Sequence, residues 1–176
     1  MNRTDRLCLW VAQGFGSGRL RPGPGTWGSL VGILLTLILL LTGHPALYLG
    51  MNALLVVVAI PLCSRAEKCL GQTDPGSVVL DEIVAVPIAF SGYALHWWLA
   101  GASPTLGQIR HWWPALVIAF LLFRGFDIWK PWPIRRLQSL HGGLGIVIDD
   151  VAAALLSALL LGLGTSAAFY LRLAVG

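Results

Sequence analysis

The chain has 176 residues, of which 56% are hydrophobic and only 11% charged, and an excess of basic residues gives it a net charge of +4. Soluble domains usually carry about 25% charged residues, so this composition predicts an integral membrane protein. The basic excess suits anionic lipid headgroups. No stripe of Lys and Arg interleaved with aromatics indicates nucleic-acid binding.

The N-terminal segment MNRTDRLCLWVAQGFGSG has no continuous apolar run and no small-residue cleavage site, so we expect it to be retained. No linker or internal repeat divides the chain, which predicts a single domain over 1–176. Cys8, Cys63 and Cys69 form neither a metal-binding pair nor a disulfide framework, and we expect them to be reduced.

Apolar stretches follow at 30–41, 46–63, 83–100, 113–123 and 151–174. A helix needs roughly 20 residues, within a range of about 17–25, to cross a bilayer. The second, third and fifth stretches meet this length, whereas the first and fourth reach it only with their flanking residues. We therefore predict an all-α membrane bundle with four to five apolar helices and a polar site at its cytoplasmic face.

Charge supports this arrangement. If the N-terminus is cytoplasmic and all five stretches cross, every basic residue except Arg110 and Arg172 falls on the inner side, together with every carboxylate. This asymmetry follows the positive-inside rule. It predicts that the polar segments between the apolar stretches meet at one membrane face, and the loss of a single crossing would break that convergence.

The first polar segment, GFGSGRLRPGPGTWGSL, is rich in glycine. It lacks a preceding strand and a Walker lysine, so a nucleotide-binding loop is not indicated. Glycines let backbone N–H groups approach an anion, and the following helix has a positive N-terminal end. Together with Arg19, this predicts a phosphate-binding loop that includes Gly25, Thr26 and Ser29. The alternative is a flexible loop in which Thr26 or Ser29 caps the helix.

The second polar segment, SRAEKCLGQTDPGSVVLDE, contains Glu67 on a helix that continues from the preceding apolar stretch. The residues DPG then predict a turn. Asp81 and Glu82 stand at the start of the next apolar helix, where a carboxylate often serves as a cap. Capping alone does not require three carboxylates in one segment.

In the third polar segment, FRGFDIWKPWPIRRL, a helix that continues to Trp129 would place Arg124, Asp127 and Lys130 on one face. The two prolines would then end the helix and leave Trp132 at the membrane interface. The alternative is an internal ion pair with arginines that extend to the cytoplasm. That alternative does not explain an aspartate held between two cations.

The fourth polar segment, HGGLGIVIDDV, places Asp149 and Asp150 at the start of the last apolar helix. Neighbouring residues on a helix point about 100° apart, so one aspartate can cap the helix while the other binds an ion. Carboxylates gathered from these segments favour Mg²⁺, which prefers oxygen ligands. The four histidines are scattered and stand beside no cysteine pair, so zinc is not indicated.

These four segments, in this order, resemble the phosphatidylglycerophosphatase A family of bacteria. The resemblance rests on GFGSGRLRPGPGTWGS, DPGSVVLDE, FRGFDIWKPWPIRRL and HGGLGIVIDDV and covers most of the chain. It implies a Mg²⁺-dependent, multi-pass enzyme of the bacterial inner membrane that removes the terminal phosphate of phosphatidylglycerophosphate. The phospholipid substrate and the bilayer lipids would be its partners. Ala85, where the family tends to have glycine, and a longer outer segment at 91–113 depart from the family pattern.

Combining the resemblance with the chemistry of the segments, we predict three groups of site residues. These are Asp127, Lys130 and Glu67 for catalysis; Arg19, Gly25, Thr26, Ser29, Arg124 and Lys130 for substrate binding; and Asp81, Glu82, Asp149 and Asp150 for Mg²⁺.

We expect direct in-line attack by water, because no cysteine has an arginine six residues downstream and no DxD pair occurs. A covalent phosphate on Asp127 stays open. A CDP-alcohol phosphotransferase would need a DGxxAR-type array, which is missing. A transporter would place its carboxylates at mid-helix depth, and a scaffold gives them no role.

Overall fold

The computed structural model describes residues 1–104, 106–137 and 140–175, and the regular structure in these ranges is entirely helical. Short 3₁₀ segments lie at Gly14–Arg19 and Leu106–Gln108. The α-helices are α1 (Arg3–Ala12), α2 (Pro24–Leu40), α3 (Pro45–Leu70), α4 (Leu80–Leu99), α5 (Ile109–Trp129), α6 (Ile134–Leu137) and α7 (Gly143–Val175). The predicted all-α fold is confirmed.

Helix α4 forms the centre of the bundle and packs against α2, α3, α5 and α7. Its buried face includes Ala85, Ala89 and Phe90, none of which is exposed. A Cβ atom on Gly92 would overlap the backbone of Ala158, so α4 and α7 approach each other at this point as closely as two backbones allow. The small residues therefore fix the distance between the two helices.

Among the described residues, α3, α5 and α7 are long and apolar enough to cross a membrane. Helix α5 contains the fourth apolar stretch, which the sequence alone makes too short. Polar flanks at both ends continue the helix, and it reaches 21 residues. Helix α2 has 17 residues. Helix α4 has 20 residues, with Asp81 and Glu82 in its first turn.

Helix α7 begins earlier than the sequence predicts. It starts at Gly143, directly after Gly142 with its positive φ of 69°. A Cβ on Gly143 would overlap the Ile60 carbonyl, so this first turn packs directly on the α3 backbone. Asp149 and Asp150 consequently lie almost two turns inside α7. The prediction that one of them caps the helix is wrong.

The starts of α2, α4 and α7 and the ends of α3 and α5 lie at one end of the bundle, which we call the polar end. Exposed aromatic residues surround it. Trp129 and Trp132 are 75% and 74% exposed, and Trp10 packs edge-on against Phe15 with 4.9 Å between ring centroids. Indole rings of this kind settle at the boundary between lipid and water.

Candidate active site

Three carboxylates form the centre of the polar end. Asp81 and Glu82 come from the first turn of α4 and Asp150 comes from α7, and one oxygen of each lies within 4.8 Å of the other two. Asp81 is 7% exposed and Asp150 is 3% exposed. We call these three residues the acidic triad. The close packing of α4 on α7 brings Asp150 to Asp81 and Glu82, which precede it by 69 and 68 positions.

Each member of the acidic triad has a buried oxygen without a hydrogen-bond partner among the described residues: Asp81 Oδ1, Glu82 Oε2 and Asp150 Oδ2. A buried charged group without a partner is costly, and three adjacent carboxylates repel one another. A divalent cation would remove both costs, and all-oxygen ligands suit Mg²⁺. The donor set therefore fits a Mg²⁺ ion.

The same crowding affects protonation. Burial raises the pKa of Asp81 well above its usual range, and the charges of Glu82 and Asp150 raise it further. Burial also raises the pKa of Glu82. Asp127 adds to that shift, while the hydrogen bond with Asp81 and the charge of Arg124 oppose it.

Two cations stand beside the triad at the end of α5. Arg124 Nη1 lies 2.5 Å from Asp127 Oδ2 and 3.8 Å from Glu82 Oε1. Lys130 Nζ lies 2.5 Å from Asp149 Oδ2 and 3.8 Å from Asp127 Oδ1. Asp127 is thus held between two cations, of which Arg124 shares its helical face while Lys130 lies just beyond the end of the helix.

Lys130 reaches Asp149 because α5 ends in an unusual conformation. Lys130 follows the last helical residue and has a φ of 44°, a left-handed value that is uncommon for residues other than glycine. Burial alone would lower the pKa of Lys130, but the hydrogen bond and charge of Asp149 outweigh it and raise the pKa. Lys130 therefore stays charged at neutral pH.

Asp149 and Asp150 have different surroundings although they are neighbours. Asp150 belongs to the acidic triad, whereas Asp149 faces Lys130 and retains a second, unpartnered oxygen, Oδ1. The structure thus brings together three of the four predicted Mg²⁺ ligands and gives the fourth a cation as its nearest partner.

The glycine-rich segment borders the site at one position. A Cβ on Gly25 would overlap the Glu82 carboxylate and lie 3.1 Å from Arg124 Nη1. Helix α2 begins after Gly23 without any side-chain cap, and the Ser29 hydroxyl donates to the Gly25 carbonyl at 2.8 Å. The alternative in which Thr26 or Ser29 caps α2 is therefore wrong. Thr26 is exposed on the first turn.

Three other glycines of this segment serve packing. A Cβ on Gly14, Gly18 or Gly28 would come within 3.1 Å of the Val79 side chain, two residues before Asp81. The Val79 amide also donates to the Ala12 carbonyl at 2.9 Å. Close contact with the glycine-rich segment thus positions the start of α4 and the two carboxylates that it carries.

Arg19 is held at one side of the site by contacts that the sequence analysis missed. Its Nε donates to Gln13 Oε1 at 2.8 Å, and Gln13 Nε2 donates to the Ser77 hydroxyl at 3.0 Å. Gln13 is 5% exposed. The position of Gln13 directly before the glycine-rich turn was the one signal of these contacts in the sequence. Only the fold shows that Ser77 lies within hydrogen-bond distance of it.

Glu67 lies near the end of α3, outside the acidic triad. It lines a cavity of about 490 Å³ together with Asp74, His141 and Gly142. Its Oε1 is 3.4 Å from the Asp74 amide. The cavity lies between the end of α3 and the start of α7, and no residue of the acidic triad lines it.

Comparison with known proteins agrees with this geometry. The sequence model of a family described as phosphatidylglycerophosphatase A matches residues 10–165. The chain belongs to the phosphatidylglycerophosphatase A family. The matched range contains every predicted site residue, from Arg19 to Asp150.

Relatives of the phosphatidylglycerophosphatase A family support the assignment along most of the chain. A protein of that name from Haemophilus influenzae is 42% identical over 146 residues, which cover 82% of this chain and 80% of the relative. One from Escherichia coli is 37% identical over 150 residues, covering 84% and 77%. A third, from Bacteroides thetaiotaomicron, is 33% identical over 165 residues, covering 92% and 95%, and is named, provisionally, a phosphatidylinositol-3-phosphatase. No solved structure matches the chain.

Proposed function

We propose that this protein hydrolyses the terminal phosphate ester of phosphatidylglycerophosphate and releases phosphatidylglycerol and inorganic phosphate. The observation that carries the proposal is the acidic triad, whose buried, unpartnered oxygens stand beside Arg124 and Lys130. Phosphate chemistry needs such a combination of a cation site and fixed positive charges. The names of the two most similar relatives described above supply the substrate.

Asp81, Glu82 and Asp150 would hold Mg²⁺, with the second oxygen of Asp149 beside them. When bound, the ion supplies positive charge to the phosphate oxygens and lowers the pKa of water. The side chains of this chain do the rest. Their carboxylates would hold the ion at the polar end of the bundle, where the close contact of α4 and α7 at Gly92 sets the separation of the two helices that carry them.

Arg124 and Lys130 would bind the remaining phosphate oxygens. Both are already paired with carboxylates, so the phosphate can share their charge without new ordering of long side chains. Asp127, held between them, would orient a water for in-line attack and accept its proton. The P–O bond to the glycerol breaks, and the departing oxygen takes up a proton from Asp127 or from water.

The remaining predicted residues would act at the edge of the site. Gly25 would serve the site by letting Arg124 and the Glu82 carboxylate lie against the start of α2, because a Cβ there would overlap that carboxylate. Arg19, Thr26 and Ser29 would line the approach of the headgroup. Glu67 would bind the glycerol hydroxyls from the cavity that it lines between α3 and α7.

The protein would lie in the bacterial inner membrane with the polar end facing the cytoplasm. Candidate spanning helices and the concentration of basic residues at the polar end support this orientation. The lipid tails would stay in the bilayer, so only the headgroup needs to reach the acidic triad.

Phosphate release from defined lipids tests the activity. The full chain, purified in mild detergent, is assayed in mixed micelles with phosphatidylglycerophosphate, phosphatidate or phosphatidylinositol 3-phosphate, with Mg²⁺ or with EDTA. We expect phosphatidylglycerophosphate to be the best substrate and EDTA to abolish turnover. Equal rates on all three lipids, or full activity in EDTA, would contradict the proposal.

Variants locate the activity in the triad. Asp150→Asn should lower the rate by at least about 100-fold, on the scale of losing a group that acts in the transition state. Asp5→Asn, which breaks an exposed ion pair with Arg65, is the matched control and should stay near the wild-type rate.

Because the pKa of Asp81 is raised, protons compete with Mg²⁺, and half-maximal activity should need more Mg²⁺ at pH 6 than at pH 8.

A further inference from the structure

The opposite end of the bundle contains a groove with no part in the proposed reaction. It has a volume of about 450 Å³ and lies between α4, α5 and α7. This volume falls within the range of about 300–1,000 Å³ that is typical of small-molecule sites. Its walls are apolar and include Ile118, Leu122 and Leu160, and its far end carries His111 and Arg172.

The groove is long and narrow. From His111 to Leu122 along α5, a rise of 1.5 Å per residue gives about 16 Å, which is roughly half the thickness of a bilayer core. It is open to the surroundings: Ile118 is 48% exposed, and nothing lies within 4 Å of the position of a Cβ on Gly164, which lines it. An acyl chain can therefore enter from the side.

Its depth separates it from the acidic triad. Leu160 follows Asp150 by ten positions on α7, which is about 15 Å along the helix axis. A lipid whose headgroup is bound at the triad would reach the groove only with the ends of its tails. The groove thus belongs to the leaflet opposite the polar end.

Charge decides which lipid fits. All eight carboxylates of the chain are at the polar end or in the segments beside it, whereas Arg110 and Arg172 are at the groove end. Arg172 lines the groove in the last turn of α7. An apolar channel with a cation at the depth of the headgroups complements a phospholipid that carries negative charge.

We propose that this groove binds an anionic phospholipid of the leaflet opposite the polar end, with one acyl chain between α5 and α7 and the headgroup phosphate against Arg172. The site is separate from the reaction, and it would exist whether or not the chain is a phosphatase. It gives α5 and α7 a lipid partner where Gly164 leaves a gap between them.

Native mass spectrometry of the full chain in mild detergent tests the proposal. Dioleoyl phosphatidylglycerol or dioleoyl phosphatidylcholine is added, and the bound lipids are counted. We expect phosphatidylglycerol to bind more tightly, and Arg172→Gln to weaken its binding by about five- to tenfold. Arg110→Gln removes the same charge at the same end but does not line the groove, and it should change the affinity less than about twofold. Phosphatidylglycerol, the proposed product, can also bind at the active site, so the groove is assigned from the difference between Arg172→Gln and Arg110→Gln, which share that site.

A second pair of variants tests the apolar part. Gly164→Phe fills the groove and should remove one bound phosphatidylglycerol, whereas Gly50→Phe, at another open position on a candidate spanning helix, should retain it. Equal binding of the two lipids, or equal effects of Arg172→Gln and Arg110→Gln, would overturn the proposal. A dimer in light scattering that Gly164→Phe dissociates without loss of lipid would assign the groove to a second copy and would also overturn it.

Discussion

Lys130 has an unfavourable left-handed backbone conformation and forms an ion pair with Asp149. Its left-handed backbone ends α5 and turns its ammonium group toward α7, where it meets the buried Asp149. A non-glycine residue in this conformation costs of order 1–3 kcal/mol and is found most often at functional sites. The ion pair is the contact that offsets this cost.

A double-mutant cycle tests the coupling of the two residues. Lys130→Met should destabilise the protein by about 3 kcal/mol, because it leaves Asp149 buried without its cation. The double variant Lys130→Met/Asp149→Asn should recover part of this loss. Unfolding in mixed detergent micelles measures the free energies, with the exposed Lys68→Met as the control. Strictly additive effects would show that the two side chains are not coupled.

Adjacent aspartates also show where reasoning from the sequence stops. The spacing predicts that Asp149 and Asp150 belong to one site, but it does not tell which of them faces the triad. That choice depends on the rotation of α7 about its axis, which the contact of Gly143 with α3 determines. Gln13 was missed for the same reason, since its partner Ser77 is 64 residues away.

At the scale of helices, the crossing of α4 and α7 controls the geometry of the acidic triad. The two helices meet at Gly92 and Ala158, about two to three turns from the carboxylates. Any increase in their separation there changes the distance between Asp150 and its partners on α4. The triad therefore depends on a glycine that is remote from it.

Gly92→Ala should destabilise the protein by about 1–3 kcal/mol, as extra atoms in a packed interior usually do, and should lower phosphate release as well. Both quantities can be measured on the same detergent-purified sample. Gly50→Ala, where the added methyl group meets open space, should preserve activity and have little effect on stability or raise it slightly. A Gly92→Ala protein as stable and active as the control would show that the close crossing is unnecessary.

Hydropathy predicted the helices well and their ends poorly. Apolar runs place α2, α3, α4, α5 and α7 because burial or lipid contact needs such runs. The ends were misplaced because polar residues continue a helix wherever the neighbouring backbone or the interface accepts them. Residues 109–112 and 143–150 are the clearest examples: both extend a helix beyond its apolar run, and in α5 the extension supplies the length that the run alone lacks.

For the molecule as a whole, the orientation in the membrane can be tested with cysteine labelling. In a protein whose three native cysteines are replaced by alanine, Thr73→Cys probes the polar end and Ser103→Cys the opposite end. We expect an impermeant maleimide to label Ser103→Cys in intact spheroplasts and Thr73→Cys only after permeabilisation, since basic residues face the cytoplasm. The reverse pattern would contradict the proposed orientation. A cytosolic cysteine protein that stays unlabelled is the control for intact membranes.

The large-scale arrangement could be anticipated because charge and hydropathy act over whole segments. Ten basic residues and all side-chain carboxylates fall between or before apolar runs, on the side where five crossings bring the polar segments together. The groove between α5 and α7 could not be anticipated from the sequence. Gly164 and Arg172 line it together with residues of α4 and α5, which come beside them only when the helices pack.

The exposed aromatic residues at the end of α5 have a consequence for kinetics. Ile128, Trp129 and Trp132 are each about three-quarters exposed, and Asp127 directly precedes them. By settling at the boundary between lipid and water they would keep the proposed catalytic groups at a constant height above the acyl chains. The proposed lipid substrate would then arrive by lateral diffusion within the leaflet. The rate should accordingly follow the mole fraction of substrate in the surface and fall when inert lipid or detergent dilutes it, even at constant bulk concentration.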